Sequence, residues 1–125
     1  MSYQSPISDM ITRLKNGQAA RKLEILVNNS KLTNEVLKQL TQEGFIRGYE
    51  VLDRKTKVFL KYSLGRPAIT LIRLGSRLPI SLKSLKKIPS YQGLGRLILT
   101  TPKGVLSDYE AIKLSTGGIL LLEVL

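Results

Sequence analysis

Two hydroxyls, a proline, an ammonium and a glycine stand together at Thr100-Thr101-Pro102-Lys103-Gly104, directly after the apolar run Leu97 to Leu99. Pro102 fixes its φ and gives up its N–H, and Gly104 permits a positive φ, so a strand must turn here. A rigid turn of small residues carrying hydroxyls and one cation can come close to a sugar-phosphate backbone. It can equally be an ordinary hairpin turn, and both readings stand on these residues alone. Farther on, Gly117-Gly118 offers backbone amides with no side chain in front of them.

Other chemistry finds few tools. The chain has no cysteine and no histidine, which removes thiolate chemistry, disulfides, the commonest general base and the commonest metal ligand. Nine carboxylates are scattered, without the grouping that a hard cation requires. Gly93-Leu94-Gly95 is a fragment of a dinucleotide fingerprint, but Ile98 stands at the third glycine position and no strand-turn-helix surrounds it. No enzyme activity, cofactor, metal or small-molecule substrate is expected. No apolar run approaches the ~20 residues of a membrane span.

Charge points elsewhere. Twenty Lys and Arg face nine Asp and Glu, for a net charge of +11. Residues 47–103 hold thirteen cations and two acids, so the whole excess lies there. Such an excess is usually matched by a polyanionic partner. With two Phe, five Tyr and no Trp the chain lacks a stacking platform for single strands. Cations, hydroxyls and glycines instead suit folded RNA, read through phosphates and 2′-hydroxyls across a shallow minor groove.

The elements that position these residues follow from periodicity. Ser5-Pro6 opens a helix with Ile7, Met10, Ile11 and Leu14 on one face and Asn16-Gly17 at its end. Arg13 and Lys15 then fall in its last turn, where they complement the helix dipole, contact RNA, or do both. Leu23 to Val27 is a strand. Ser30 caps a second helix with Leu32, Val36, Leu37 and Leu40 inward and Gly44 at its end. Phe45–Leu52 and Lys57–Leu64 form a hairpin. Gly65-Arg66-Pro67 marks a boundary between domains 1–65 and 66–125. After it come strands at Ala68–Leu74 and Ile80–Leu82, and a basic connector Lys83–Pro89. Ser107-x-x-Glu110 is a capping box for a short helix to about Leu114. The apolar run Ile119–Leu125 is a strand central to the second sheet. The fold class is α+β: an α-β-α-β-β unit, then a mostly β unit with one short helix.

These residues resemble a known family. Ser5-Pro6-Ile7-Ser8-Asp9-Met10-Ile11-Thr12-Arg13-Leu14-Lys15-Asn16-Gly17 is similar to the opening D-P-I-A-D-M-L-T-R-I-R-N-[AG] of ribosomal protein S8. Ser30-Lys31-Leu32 and Glu43-Gly44-Phe45-Ile46 resemble its S-K-L and E-G-[FY]-I, and Gly93-Leu94-Gly95 with Thr100 to Asp108 resembles its G-[LI]-G and S-T-S-x-G segments. The resemblance implies a small-subunit ribosomal protein that binds the central domain of the ribosomal RNA directly, beside neighbouring ribosomal proteins. Its RNA-contacting turn and Gly-Gly pair map to Thr100, Thr101, Pro102, Lys103, Gly104, Gly117 and Gly118. Arg13, Lys15, Asn16, Lys31, Arg77 and Lys83 join them as candidate RNA contacts. A free RNA chaperone or a translational repressor would use the same surface.

The chain departs from the family where RNA contacts are expected. The S-R-P-G-x-R-x-Y segment is reduced to Ser76-Arg77-Leu78-Pro79-Ile80-Ser81-Leu82, so Leu82 stands for the tyrosine. Ile119 replaces the glutamate of G-G-E, Pro102 replaces the last serine of the turn, and Leu121-Leu122-Glu123 replaces a Cys-containing ending. Drift of this kind favours a mitochondrial ribosome, with the bacterial cytoplasm as the alternative. The opening residues carry neither a basic lead nor an Arg-rich one, so an organelle-encoded or processed chain would be expected.

Overall fold

Helix α1 runs Pro6–Ala19 and buries Ile7, Met10, Ile11 and Leu14 as one stripe. The computed structural model describes residues 6–76, 78–88 and 95–125; the cap at Ser5, Arg77 and Gly93-Leu94 lie outside them. Contrary to expectation, α1 does not stop at Asn16-Gly17. Gly17 faces inward, where a Cβ would lie 2.5 Å from Ile25 Cγ2 and 3.2 Å from Leu60 Cδ1. The glycine thus permits close packing, and the helix continues past it. It ends in a Schellman motif: Arg21 N–H donates to Gln18 O at 3.1 Å and Lys22 N–H to Gly17 O at 2.9 Å, with Arg21 at φ 56°. Arg13 and Lys15 therefore sit mid-helix and not in its last turn. Arg13 Nε pairs with Asp9 Oδ2 at 3.0 Å, one helical turn back.

Strand β1 (Glu24–Asn28), helix α2 (Lys31–Gln42), strand β2 (Ile46–Val51) and strand β3 (Lys55–Leu60) complete the first half. Ser30 caps α2 by accepting from Thr33 N–H at 3.1 Å, as the sequence indicated. Thr33 and Gln39 join Val36, Leu37 and Leu40 among its buried residues, while Leu32 is half-buried. Gly44, at φ 82°, closes the helix with the Gly44→Thr41 and Phe45→Leu40 bonds of a second Schellman motif. The sheet has the order β1-β3-β2 and is antiparallel throughout. Both helices pack on the face that carries Val27, Ile46, Val58 and Leu60. A polar chain locks the hairpin to α2. Buried Thr56 donates to Asn34 Oδ1 (2.8 Å), Asn34 Nδ2 donates to Asn29 Oδ1 (2.7 Å), and Asn29 Nδ2 reaches Asp53 O (3.1 Å).

The strand expected over Lys57–Leu64 ends at Leu60. Beyond it, β4 (Tyr62–Ser63) and β5 (Arg66–Pro67) form a minimal hairpin. Leu64 (φ 52°) and Gly65 (φ 78°) are its two turn residues, both left-handed as a type I′ turn requires, so Leu64 is fully exposed and not in the core. The chain divides into two compact units, the first ending at Thr70 and the second beginning at Leu71.

The second unit contains β6 (Ile72–Leu74), β7 (Pro79–Ile80), α3 (Leu82–Lys87), β8 (Arg96–Thr101), β9 (Gly104–Ser107), α4 (Asp108–Lys113) and β10 (Gly118–Val124). The strands expected at Ala68–Leu74 and Ile80–Leu82 shrink to three and two residues. Leu82 instead begins α3, because Ser81 Oγ accepts from Ser84 N–H at 3.2 Å and caps a helix there. The order β6-β10-β8-β9, with β7 also on β10, puts β10 inside the sheet as its apolar run implied. Leu120, Leu121 and Leu122 are all buried, so both faces of this strand are covered. One face forms a cluster of Leu85, Leu97, Leu99, Leu106, Ala111 and Leu120.

Gly17→Ala sets a helix-propensity gain of about 1 kcal/mol against overpacking of about 1–3 kcal/mol on the β-branched Ile25. A net loss of stability is expected, read as a lower urea midpoint with unchanged m.

Candidate nucleic-acid interface

The turn between β8 and β9 has only Pro102 and Lys103 at its tip, with Thr101 paired to Gly104. Gly104 takes φ 114°, a conformation that side chains rarely adopt. Thr101 holds the turn from within. Its Oγ1 donates to Gly104 O at 2.8 Å and accepts from Lys103 N–H at 3.1 Å. Lys103 Nζ reaches Leu114 O at 2.8 Å, so the ammonium caps the C-terminal end of α4.

The glycine pair has a structural reason of its own. A Cβ on Gly118 would lie 2.5 Å from Thr100 O and 2.8 Å from Thr101 Cγ2. A Cβ on Gly117 would meet Ile80 O, with Leu82 N at 3.0 Å. The bare backbone lets β10 enter between β7 and β8, and it brings Gly117-Gly118 alongside the threonines of the turn.

Ser107 caps α4 by accepting from Glu110 N–H at 3.2 Å. Among the described residues the reciprocal half of the capping box is not made, and Glu110 Oε1 is buried there without a hydrogen-bond partner. At the other end Ser115 N–H donates to Ile112 O (3.0 Å) and Thr116 N–H to Ala111 O (2.9 Å), a third Schellman motif. Ser115, at φ 54°, occupies the position usually filled by glycine. The sequence expectation of a helix to about Leu114 assigns Ser115 and Thr116 no role. Their hydroxyls directly before the glycine pair were the available signal.

The hydroxyl inventory separates support from display. Thr101 is engaged within the turn, and Thr116 Oγ1 donates to Gly117 O at 3.0 Å. Thr100 and Ser115 make no side-chain hydrogen bond among the described residues, and Ser115 is exposed. Lys103 thus reaches the end of α4 just before the exposed Ser115, and the Gly118 backbone lies against Thr100, whose side chain alternates to the sheet face opposite Leu99 and α4. Lys83 is exposed on the short α3 of the same unit, and Arg77 lies outside the described residues.

The remaining candidates belong to the first unit. Arg13, Lys15 and Asn16 are exposed on α1, and Lys31 is exposed at the start of α2. Arg13 and Asn16 line a groove of about 950 Å³ with Lys22, Glu24, Leu26 and Lys57. Among the described residues no group of His, Cys, Asp or Glu could hold a metal ion. None of the described helices is long and apolar enough to cross a membrane.

These features define a basic α+β protein with a hydroxyl-bearing turn and no assembled metal centre among the described residues. Comparison with known proteins gives the family. The family model for ribosomal protein S8 matches residues 5–125. The small ribosomal subunit protein uS8 of Rhodospirillum centenum is 41% identical over 133 aligned positions, spanning 99% of each chain. The uS8 proteins of Bartonella henselae and Rhizobium rhizogenes are 41% and 38% identical with the same coverage. The chain belongs to the ribosomal protein S8 family, whose members are structural components and not enzymes. These relatives are bacterial, and the mitochondrial expectation drawn from local drift finds no support among them.

Lys103→Met removes the cap on Leu114 O and should lower stability by about 0.5–1 kcal/mol. Ser115→Gly removes the left-handed strain and should raise it by about 1 kcal/mol. Urea unfolding of the two variants should move in opposite directions.

Proposed function

We propose that this chain is a structural, RNA-binding protein of the small ribosomal subunit. It binds the central domain of the small-subunit ribosomal RNA directly, supports folding of that domain, and adjoins other ribosomal proteins. The observation that carries the reading is the β8–β9 turn region: Lys103 at the end of α4, a glycine-lined backbone, and hydroxyls at Thr100 and Ser115 that make no side-chain hydrogen bond among the described residues, on a chain of net charge +11. Phosphates and 2′-hydroxyls are the groups such a surface accepts. Membership of the S8 family, and relatives named for the small subunit, support the same conclusion. Arg13, Lys15, Asn16, Lys31 and Lys83 add cations and an amide that can hold phosphates.

Thr101 and Lys103 build the turn, so the residues that test binding without disturbing it are Thr100 and Ser115. Thr100→Val keeps the strand and removes only the hydroxyl. Each lost hydrogen bond should cost about 0.5–1.5 kcal/mol, or roughly 2- to 13-fold in affinity for a central-domain transcript. Affinity should fall with salt on a log–log plot at about 0.7–0.9 per phosphate neutralised. Unchanged affinity in Thr100→Val combined with Ser115→Ala would remove this turn from the interface. Stoichiometric presence in salt-washed small subunits is expected, and absence would favour a free chaperone or repressor.

A further inference from the structure

Strand β1 is an open edge, and its backbone groups can be assigned. Leu60 N–H donates to Leu23 O at 2.9 Å and Asn29 N–H to Arg54 O at 3.1 Å, at the two ends of the β1–β3 ladder. With the register Ile25↔Val58 and Val27↔Thr56, residues Leu23, Ile25, Val27 and Asn29 face β3. Glu24, Leu26 and Asn28 therefore turn their N–H and C=O groups away from the sheet. Arg13 Nη1 reaches Leu26 O at 3.4 Å, from the outer side and at the limit of a hydrogen bond. That guanidinium is already bound to Asp9, so it plugs the edge only weakly.

The edge opens into the groove of about 950 Å³. Arg13, Asn16 and Ala20 form its α1 wall, and Leu26 and Lys57 lie toward the sheet face opposite the helices. Leu26 is 46% exposed, and Leu23, just before the strand, is 70% exposed. Arg13, Lys22 and Lys57 outnumber the one lining acid, Glu24, which Lys57 already approaches at 3.7 Å.

We propose that β1 accepts an added strand from a neighbouring polypeptide, an extended segment that carries carboxylates on both of its faces. Strand addition uses the donors and acceptors of an edge together. Alternate side chains of the added strand meet Arg13 on one side and Lys57 on the other, so carboxylates fit both. An RNA backbone fits less well: it would take the outward N–H groups but press phosphates against the outward carbonyls of Glu24 and Asn28. The proposal rests on the ribosomal reading, because it places the partner within the assembled subunit.

Deuterium uptake by peptides covering residues 22–30 should be compared in the free chain, in its complex with a central-domain transcript, and in assembled small subunits. The expected result is about tenfold slower exchange at the outward amides in subunits alone. Slow exchange already in the RNA complex would assign the groove to RNA and overturn the proposal. Unchanged exchange in subunits that contain the chain would overturn it too, and leave the ribosomal reading intact. Absence of the chain from the subunits would overturn both. As a second arm, Leu23→Cys is the sole cysteine in the chain and can carry a short photocrosslinker. It should capture an acidic protein segment, and Leu26→Pro, which deletes an outward N–H and spares the β3 ladder, should abolish that crosslink while RNA affinity stays unchanged. Capture of RNA alone would overturn the proposal.

Discussion

The second unit depends on one close approach, the backbone of Gly118 against Thr100. With any side chain at Gly118 the first residues of β10 could not lie 2.5 Å, at the Cβ position, from the Thr100 carbonyl. Gly117 meets the same requirement against β7, and Gly75 meets it where β10 bulges between Leu120 and Leu122. Three glycines on or beside one strand thus let a run of leucines enter the sheet centre with neighbours on both sides. The β8–β9 turn and the end of α4 are then brought close enough for Lys103 to join them. The candidate interface is a consequence of that packing.

The first unit uses the same device once, at Gly17, and otherwise relies on side chains. Gly17 lets α1 lie close to Ile25 and Leu60, and the Thr56–Asn34–Asn29 chain ties the β2–β3 turn to the start of α2. Buried Thr56 is satisfied in this way, as a polar group removed from water must be. Three helices close in Schellman motifs, but only α2 places a glycine at the left-handed position; α1 uses Arg21 and α4 uses Ser115.

Charge acts at longer range. Nine acids cannot neutralise twenty cations, and the pairs Arg13–Asp9, Lys57–Glu24 and Arg73–Glu123 leave a strong excess. Self-repulsion of this size is relieved by a polyanion, which agrees with membership of a ribosomal family. The surface is not uniform: outward N–H and C=O groups alternate along the open edge of β1, while the β8–β9 turn carries two hydroxyls and one lysine.

Much was legible in the chain itself. The α1 and α2 stripes, the caps at Ser30 and Ser107, the turn at Pro102 and the central position of β10 follow from periodicity and local capping chemistry, which act within a few residues. Composition alone excluded thiolate and imidazole chemistry, and ordered motifs indicated the family. Tertiary structure decided what each glycine and polar side chain is for. Gly17 reads as a helix stop in sequence and is a packing contact in space, because its neighbour Ile25 arrives from another element. Leu64 fits a strand by alternation but turns a hairpin. Thr101 and Lys103, candidate RNA contacts in the sequence, also hold the turn and the end of α4. The residues of the turn declare its chemistry; the fold decides which of its side chains are also engaged within the protein, Thr101 with the turn and Lys103 with Leu114, because Leu114 arrives from the end of α4.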